Sequence, residues 1–146
     1  MNDVPILMAE DDALDRILTE EAFRESGLRN PLYFVEDGEE LMAYLRRQPP
    51  YDDEQRYPMP GIILLDLNMP RLDGRGCLRA IRKDPNLNHL PVVVLTTSTE
   101  QAEVVRSYDL GANSFMSKSV DFEAFVRQIR AFGEYWCSVV ELPNAT

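Results

Sequence analysis

The sequence predicts an α/β fold: a single domain built on a doubly wound, five-stranded parallel sheet. Two observations carry the prediction. Short apolar runs alternate along the 146 residues with amphipathic runs of helical period, and strands that alternate with helices specify βαβ units. The apolar runs are also continuous, as in Ile62-Ile63-Leu64-Leu65 and Val92-Val93-Val94-Leu95, which is the pattern of strands covered on both faces. Crossovers between parallel strands are right-handed almost without exception, so five such repeats place helices on both sides of the sheet.

Each element has its own signals. Residues 4–9 read as the first strand, closed by Glu10-Asp11-Asp12. Residues 13–26 read as a helix whose apolar stripe is Leu14, Ile17, Leu18, Ala22 and Phe23, with Gly27 as its stop. A second strand spans 31–35. Asp37-Gly38 turns the chain into a helix over 39–47. Residues 48–60 break the rhythm with Pro49, Pro50, Pro58 and Pro60 and the acidic group Asp52, Asp53 and Glu54, so they read as an exposed loop inserted before the third strand. That strand is 62–66, followed by a helix over 75–83 that stops near Pro85. Pro91 opens the fourth strand at 92–95, a position where the missing N–H is tolerated. Hydroxyl residues fill 96–99, a helix runs over 100–110 to Gly111, and 113–116 form a fifth strand. Asp121 caps a last helix reaching about residue 140.

Composition excludes some function classes. The chain carries 15 basic and 25 acidic residues, a formal net charge of −10, which argues against generic binding to nucleic acid or anionic membrane. Cys77 and Cys137 lie far apart with no C-x-x-C spacing, as expected of free thiols in a reducing compartment. No apolar run approaches the roughly 20 residues of a membrane span. The early acidic residues Asp3, Glu10, Asp11 and Asp12 do not fit a signal peptide. A cytoplasmic protein is expected.

The polar residues that close the predicted strands form one chemical set. Strand one ends in Glu10-Asp11, strand three in Asp66 with Asn68 two residues on, strand four in Thr96, and strand five is followed by Lys118. In a parallel sheet the strand C-termini share one edge, where open α/β sheets bind ligands. Taken singly, these residues are ordinary caps, turn formers and surface charges; four strands ending this way together point to a site. Three clustered carboxylates repel, and a hard divalent cation relieves that. Mg²⁺ fits an oxygen-only donor set with room for phosphate, whereas zinc and copper favour the His and Cys that are missing from it. Asp11 and Asp66 are candidate direct ligands. Glu10 would act directly or through water, and Asn68 through its carbonyl. A carboxylate also attacks phosphorus to give an aspartyl phosphate, whose charge a cation and a hydroxyl stabilise. Lys118 and Thr96 supply both, so Asp66 is a candidate phosphoacceptor.

These residues resemble a known family. Glu10-Asp11, Asp66 within Leu65-Asp66-Leu67-Asn68-Met69-Pro70-Arg71-Leu72-Asp73-Gly74, Thr96, and Lys118 after Gly111-Ala112-Asn113 are similar to the receiver domain of two-component response regulators. The likeness covers roughly residues 4–130. It implies a flavodoxin-like (βα)₅ fold and a phosphoryl group taken from a histidine kinase onto Asp66. By position it makes Glu10, Asp11, Asp66 and the Asn68 carbonyl the Mg²⁺ site. Thr96 becomes the switch hydroxyl, Phe115 the aromatic that turns inward with it, and Lys118 the partner of the phosphoryl oxygens. Two positions depart from the family pattern. Ser119 stands where proline usually follows the lysine, often after a cis bond. A cis bond before serine costs about 3 kcal/mol, so the geometry there is open. Thr97 replaces the usual alanine or serine and narrows access to Asp66. The Lys118-Ser119 pair, the proline-rich loop and the aromatic tail resemble stand-alone regulators that partner bacterial and cyanobacterial phytochromes.

Several features fall outside that set. Phe122, Phe125, Val126, Ile129, Phe132, Trp136, Val139 and Val140 keep helical spacing, so the first half reads as a core stripe. Tyr135, Trp136, Val139, Val140 and Leu142 extend past the usual end of a receiver, in an aromatic extension over about 131–146. Aromatics in excess of a closed core mark an interface, and a homodimer through this helix is expected. His89, the sole histidine, sits in a polar turn, and the acidic loop reads as a solvated one. No DNA-binding segment follows, so output runs through protein contacts or a phosphorelay. The rival readings are a Mg²⁺-dependent aspartyl-phosphate phosphohydrolase and a scaffold pseudo-receiver. Asn68 stands where turnover enzymes carry a second acid, and the acidic set, Thr96 and Lys118 are complete for a receiver. The reading is therefore a switch, not an enzyme.

Overall fold

The computed structural model describes residues 3–97, 101–139 and 141–143. Strands β1 (Ile6–Ala9), β2 (Leu32–Val35), β3 (Ile62–Leu65), β4 (Val92–Thr96) and β5 (Ser114–Ser117) alternate with helices α1 (Ala13–Ser26), α2 (Gly38–Leu45), α3 (Gly74–Lys83), α4 (Gln101–Asp109) and α5 (Phe122–Glu134). All strand pairs are parallel, in the order β2-β1-β3-β4-β5. The order reverses between β1 and β3, and the crevice at such a switch point is where doubly wound sheets bind ligands. The expected fold class is the observed one.

Side-chain alternation sorts the sheet into two cores. Leu7, Ala9, Ile63, Leu65, Val92 and Val94 pack with α2 and α3. Ile6, Met8, Ile62, Leu64, Val93 and Leu95 pack with α1 and α5. Aspartates cap α1, α3 and α5, Asp121 as expected. The Asp12 carboxylate accepts from the Leu14 and Asp15 N–H groups, Asp73 from Gly76 and Asp121 from Ala124, each satisfying donors the helix leaves unpaired. Gly27 ends α1 in the left-handed region at φ 83°, a conformation only glycine adopts without cost.

Three expectations are corrected by the packing. The stripe assigned to the core side of α1 is split. Thr19, Ala22 and Phe23 are buried, but Leu14 and Ile17 are 62% and 60% exposed. Only the C-terminal half of α1 rests on α5, where the Phe23 and Phe132 rings lie 6.4 Å apart. In its first turns Leu14 and Ile17 face solvent. The inserted loop is partly docked. Tyr51 and Tyr57 stack with Tyr44 of α2 at ring separations of 5.0 and 5.9 Å, and the Tyr44 hydroxyl donates to the Pro58 carbonyl at 2.8 Å. Asp52, Asp53 and Glu54 remain exposed. The tail is absorbed more than expected. After α5 the chain makes a π-helical turn over Tyr135–Val139. Phe132 and Cys137 are buried, Trp136 and Leu142 pack partly against the α1/α5 core, and Tyr135 is 52% exposed. Ser98, Thr99, Glu100, Val140 and the Val139 side chain lie outside the described residues. Among those described, no helix is long and apolar enough to cross a membrane.

Candidate functional site

The C-terminal ends of β1, β3, β4 and β5 deliver the predicted residues to one edge. Glu10 follows β1, held by its N–H to the Val35 carbonyl at 3.0 Å, and is only 1% exposed. Asp66 follows β3, with its N–H on the Ala9 carbonyl at 3.2 Å. One carboxylate oxygen from each of Glu10, Asp11 and Asp66 falls within 4.8 Å of the others. Asp11 is the exposed member of the group. Such a set is acceptor-only and self-repelling, and it fits a divalent oxygen-seeking cation.

The other groups take defined places. The Thr96 hydroxyl donates to Asp66 Oδ1 at 3.1 Å, and the Asn68 backbone N–H donates to the same oxygen at 3.1 Å. Asp66 is thereby fixed at the strand end with 9% exposure. Lys118 Nζ sits 2.9 Å from Glu10 Oε1 and 3.7 Å from Asp15 Oδ2. Burial, with the Asp66 charge adding to it, pushes Glu10 up to about 7 despite the lysine. Three grouped carboxylates beside this one lysine leave a place for a divalent cation. Phe115 is half-buried against the α2/α3 core.

Every residue predicted for the site is at this edge except Phe115, which pairs with Val94 two residues back from the end of β5. Asp15 is the addition. It is the third residue of α1, so the helix start that follows the Glu10-Asp11 turn carries it back over Lys118. The spacing of Asp11 and Asp15, four apart at a helix start, is the signal that would have found it. The Lys118–Ser119 bond is trans, the Pro49–Pro50 bond being the cis one among the described residues. Gly74 explains the Asp-Gly pair of the motif: a Cβ there would lie 2.5 Å from the Asp66 carbonyl oxygen and 2.7 Å from Leu67 Cα. Glycine lets α3 close directly under the site loop. Beside Lys118 a cleft of about 240 Å³ opens between α1 and the loop after β5, lined by Asp15, Leu18, Thr97, Lys118, Val120 and Phe122. Thr97 stands at its wall.

Residues 6–130 match the family model described as "Response regulator receiver domain". The chain belongs to that family. Among characterised relatives, Response regulator Rcp1 of Synechocystis sp. is 37% identical over 96% of this chain and 93% of its own length. Two solved structures are similarly near. Response regulator RPA3017, described in red light signaling of R. palustris, superposes with a TM-score of 0.92 at 35% identity, covering 97% of this chain and 99% of that one. The phosphorylated cyanobacterial phytochrome response regulator RcpA superposes at 0.89 with 37% identity, covering 98% and 100%. This receiver is thus a phosphorylation-dependent switch homologous to phytochrome response regulators. A Mn²⁺-bound form of Rcp1 is among the similar structures, and the acidic trio here fits a divalent metal.

Proposed function

We propose that Asp66 is the phosphoacceptor of this receiver, supplied by a histidine kinase of phytochrome type. The observation that carries the reading is the Asp66 carboxylate itself. It is fixed by the Thr96 hydroxyl and the Asn68 N–H and grouped with Glu10 and Asp11. In the transfer, an Asp66 oxygen forms the new bond to phosphorus as the phosphorus–nitrogen bond of phosphohistidine breaks. Mg²⁺ is the proposed ion, held by Glu10, Asp11, Asp66 and the Asn68 carbonyl, and it supplies charge neutralisation for the phosphoryl oxygens. Lys118 leaves Glu10 for a phosphoryl oxygen, adding a direct cation. Thr96 turns its hydroxyl from Asp66 to the phosphoryl group, and Phe115 moves into the space this frees.

The apolar residues left exposed around the entrance support the kinase as partner. Leu18 of α1 and the fully exposed Val120 line the cleft beside Lys118, and Leu14 and Ile17 are exposed on the same helix. Exposed apolar side chains beside a polar cleft suit docking of a helical partner. The net charge of −10 supports a protein that does not bind nucleic acid, and the two free thiols support a cytoplasmic one. Residues 1–146 read as one domain. A homodimer through the α5 extension rests on Tyr135, whose ring stands against Trp136 at 5.3 Å with its other face in solvent.

Intact-mass measurement with Mg²⁺ and a small-molecule phosphodonor tests the acceptor. A single acid-labile phosphate on the protein but not on Asp66→Asn is expected. No phosphate at any Mg²⁺ concentration overturns the reading, and rapid multiple turnover favours an enzyme instead. Light scattering of the full chain and of Tyr135→Ala, with and without a phosphate mimic, tests the dimer; a monomeric mass throughout removes it.

A further inference from the structure

Gln128 of α5 brackets Lys118. Its Oε1 accepts from the Ser119 N–H at 2.9 Å, and its Nε2 donates to the Ser117 carbonyl at 2.6 Å. The Lys118 N–H itself donates to the Thr96 carbonyl at 2.7 Å. The peptide groups on both sides of the lysine are therefore tied to one side chain, and the lysine to β4. The amide orientation is fixed by its partners, because a carbonyl needs the donor end and an N–H the acceptor end.

The place of this strap matters. β5 ends at Ser117, so the sheet ladder gives out where the chain must aim Lys118 across the site. A lysine stem is long and rich in rotamers, and it is aimed only as well as its own backbone is held. The next anchor is Asp121, which caps α5 and whose N–H bonds to the Ser119 hydroxyl at 3.3 Å. Gln128 closes the span between the two, reaching back from the helix that Asp121 opens. The strap needs a Ser119 N–H on the correct side, and the trans Lys118–Ser119 bond provides it.

We propose that Gln128 is a positioning residue for phosphoryl transfer at Asp66. It fixes the peptide groups on both sides of Lys118 and thereby sets where the lysine Nζ can reach. The proposal rests on Asp66 as the acceptor, and it makes α5 part of the transfer machinery and not only of the core. A glutamine that merely satisfies loop polar groups would affect stability alone. A positioning residue affects the rate, and only while Lys118 is present.

The test measures phosphorylation by acetyl phosphate at saturating Mg²⁺ for Gln128→Leu, Lys118→Ala, the double variant and the unaltered chain, with Mg²⁺ affinity by calorimetry. Misplacement of a catalytic group on the order of 1 Å costs up to 100-fold, so Gln128→Leu is expected to slow phosphorylation about tenfold. Mg²⁺ affinity should stay within about twofold, and in the Lys118→Ala background Gln128→Leu should change the rate by less than about twofold. An unchanged rate, or an equal fall in both backgrounds, overturns the proposal. If the leucine variant does not fold, Gln128→Glu carries the same comparison: it keeps an acceptor for Ser119 and loses the donor to Ser117, so a smaller, still Lys118-dependent fall is expected. Absence of phosphate on the unaltered chain is a different result. It overturns the Asp66 reading and this proposal with it.

Discussion

The two faces of the sheet carry different halves of the switch. Ile6 and Met8 of β1, Ile62 and Leu64 of β3, and Met116 of β5 point to the α1/α5 side, and the same strand alternation puts Glu10, Asp66 and Lys118 on that side. Asp15 of α1 and Gln128 of α5 join them there. Val92, Val94 and Phe115 point to the α2/α3 side, and Thr96 continues that parity. The carboxylates and the lysine thus stand over one core, the hydroxyl and the aromatic over the other. The Thr96–Asp66 hydrogen bond is the direct tie between them.

Truncation of each core gives the largest effect. Leu64→Ala on the α1/α5 side and Ile63→Ala on the other should each lose about 2–5 kcal/mol in urea unfolding, both residues being fully buried. A loss under about 1 kcal/mol on either side would mean that face is not a closed core. Next comes the metal. At 100 times its dissociation constant Mg²⁺ should raise stability by about 2.7 kcal/mol, and calorimetry should find no such gain in Asp11→Asn. That loss would place the ion over the α1/α5 half. The tie between the halves is smaller: Thr96→Val should lose about 1 kcal/mol, the net worth of one buried hydrogen bond. It should slow phosphorylation less than Lys118→Ala does. A larger slowing than the lysine variant would put the hydroxyl on the chemical side and break the division.

The two thiols sharpen the comparison most finely. Burial pushes Cys77, in the α2/α3 core, up to about 12, and Cys137, under the α5 extension, up to about 11. Both stay protonated at neutral pH, and thiolate is the reactive form. A disulfide reagent at pH 8 should therefore label neither quickly, both thiols being buried. Faster labelling of Cys77 would make the α2/α3 side the one that opens first.

Much of this was legible beforehand because it depends on local patterns. Continuous apolar strands, the Asp121 cap of α5, and the acids, hydroxyl and lysine that close four of the strands need no knowledge of packing. The misreadings have one cause. Helical spacing shows that Leu14, Ile17 and Leu18 share a face but not whether anything covers it. Proline and acid content marks 48–60 as irregular but not that Tyr51 and Tyr57 reach Tyr44. Aromatics beyond Ile129 look surplus only until Phe132 meets Phe23 and Cys137 closes under them.

The sequence by itself determined the sheet, its winding and the identities of the acid trio, Thr96 and Lys118. These follow from periodicity and from the rule that parallel strands end on one edge. Only the tertiary structure decided what holds them. Lys118 pairs with Glu10 and Asp15, its bond to Ser119 is trans, and Gln128 braces it from α5. These are contacts between segments far apart or turned back on themselves, so they are fixed by how helices lie on the sheet and leave no periodic trace in the chain.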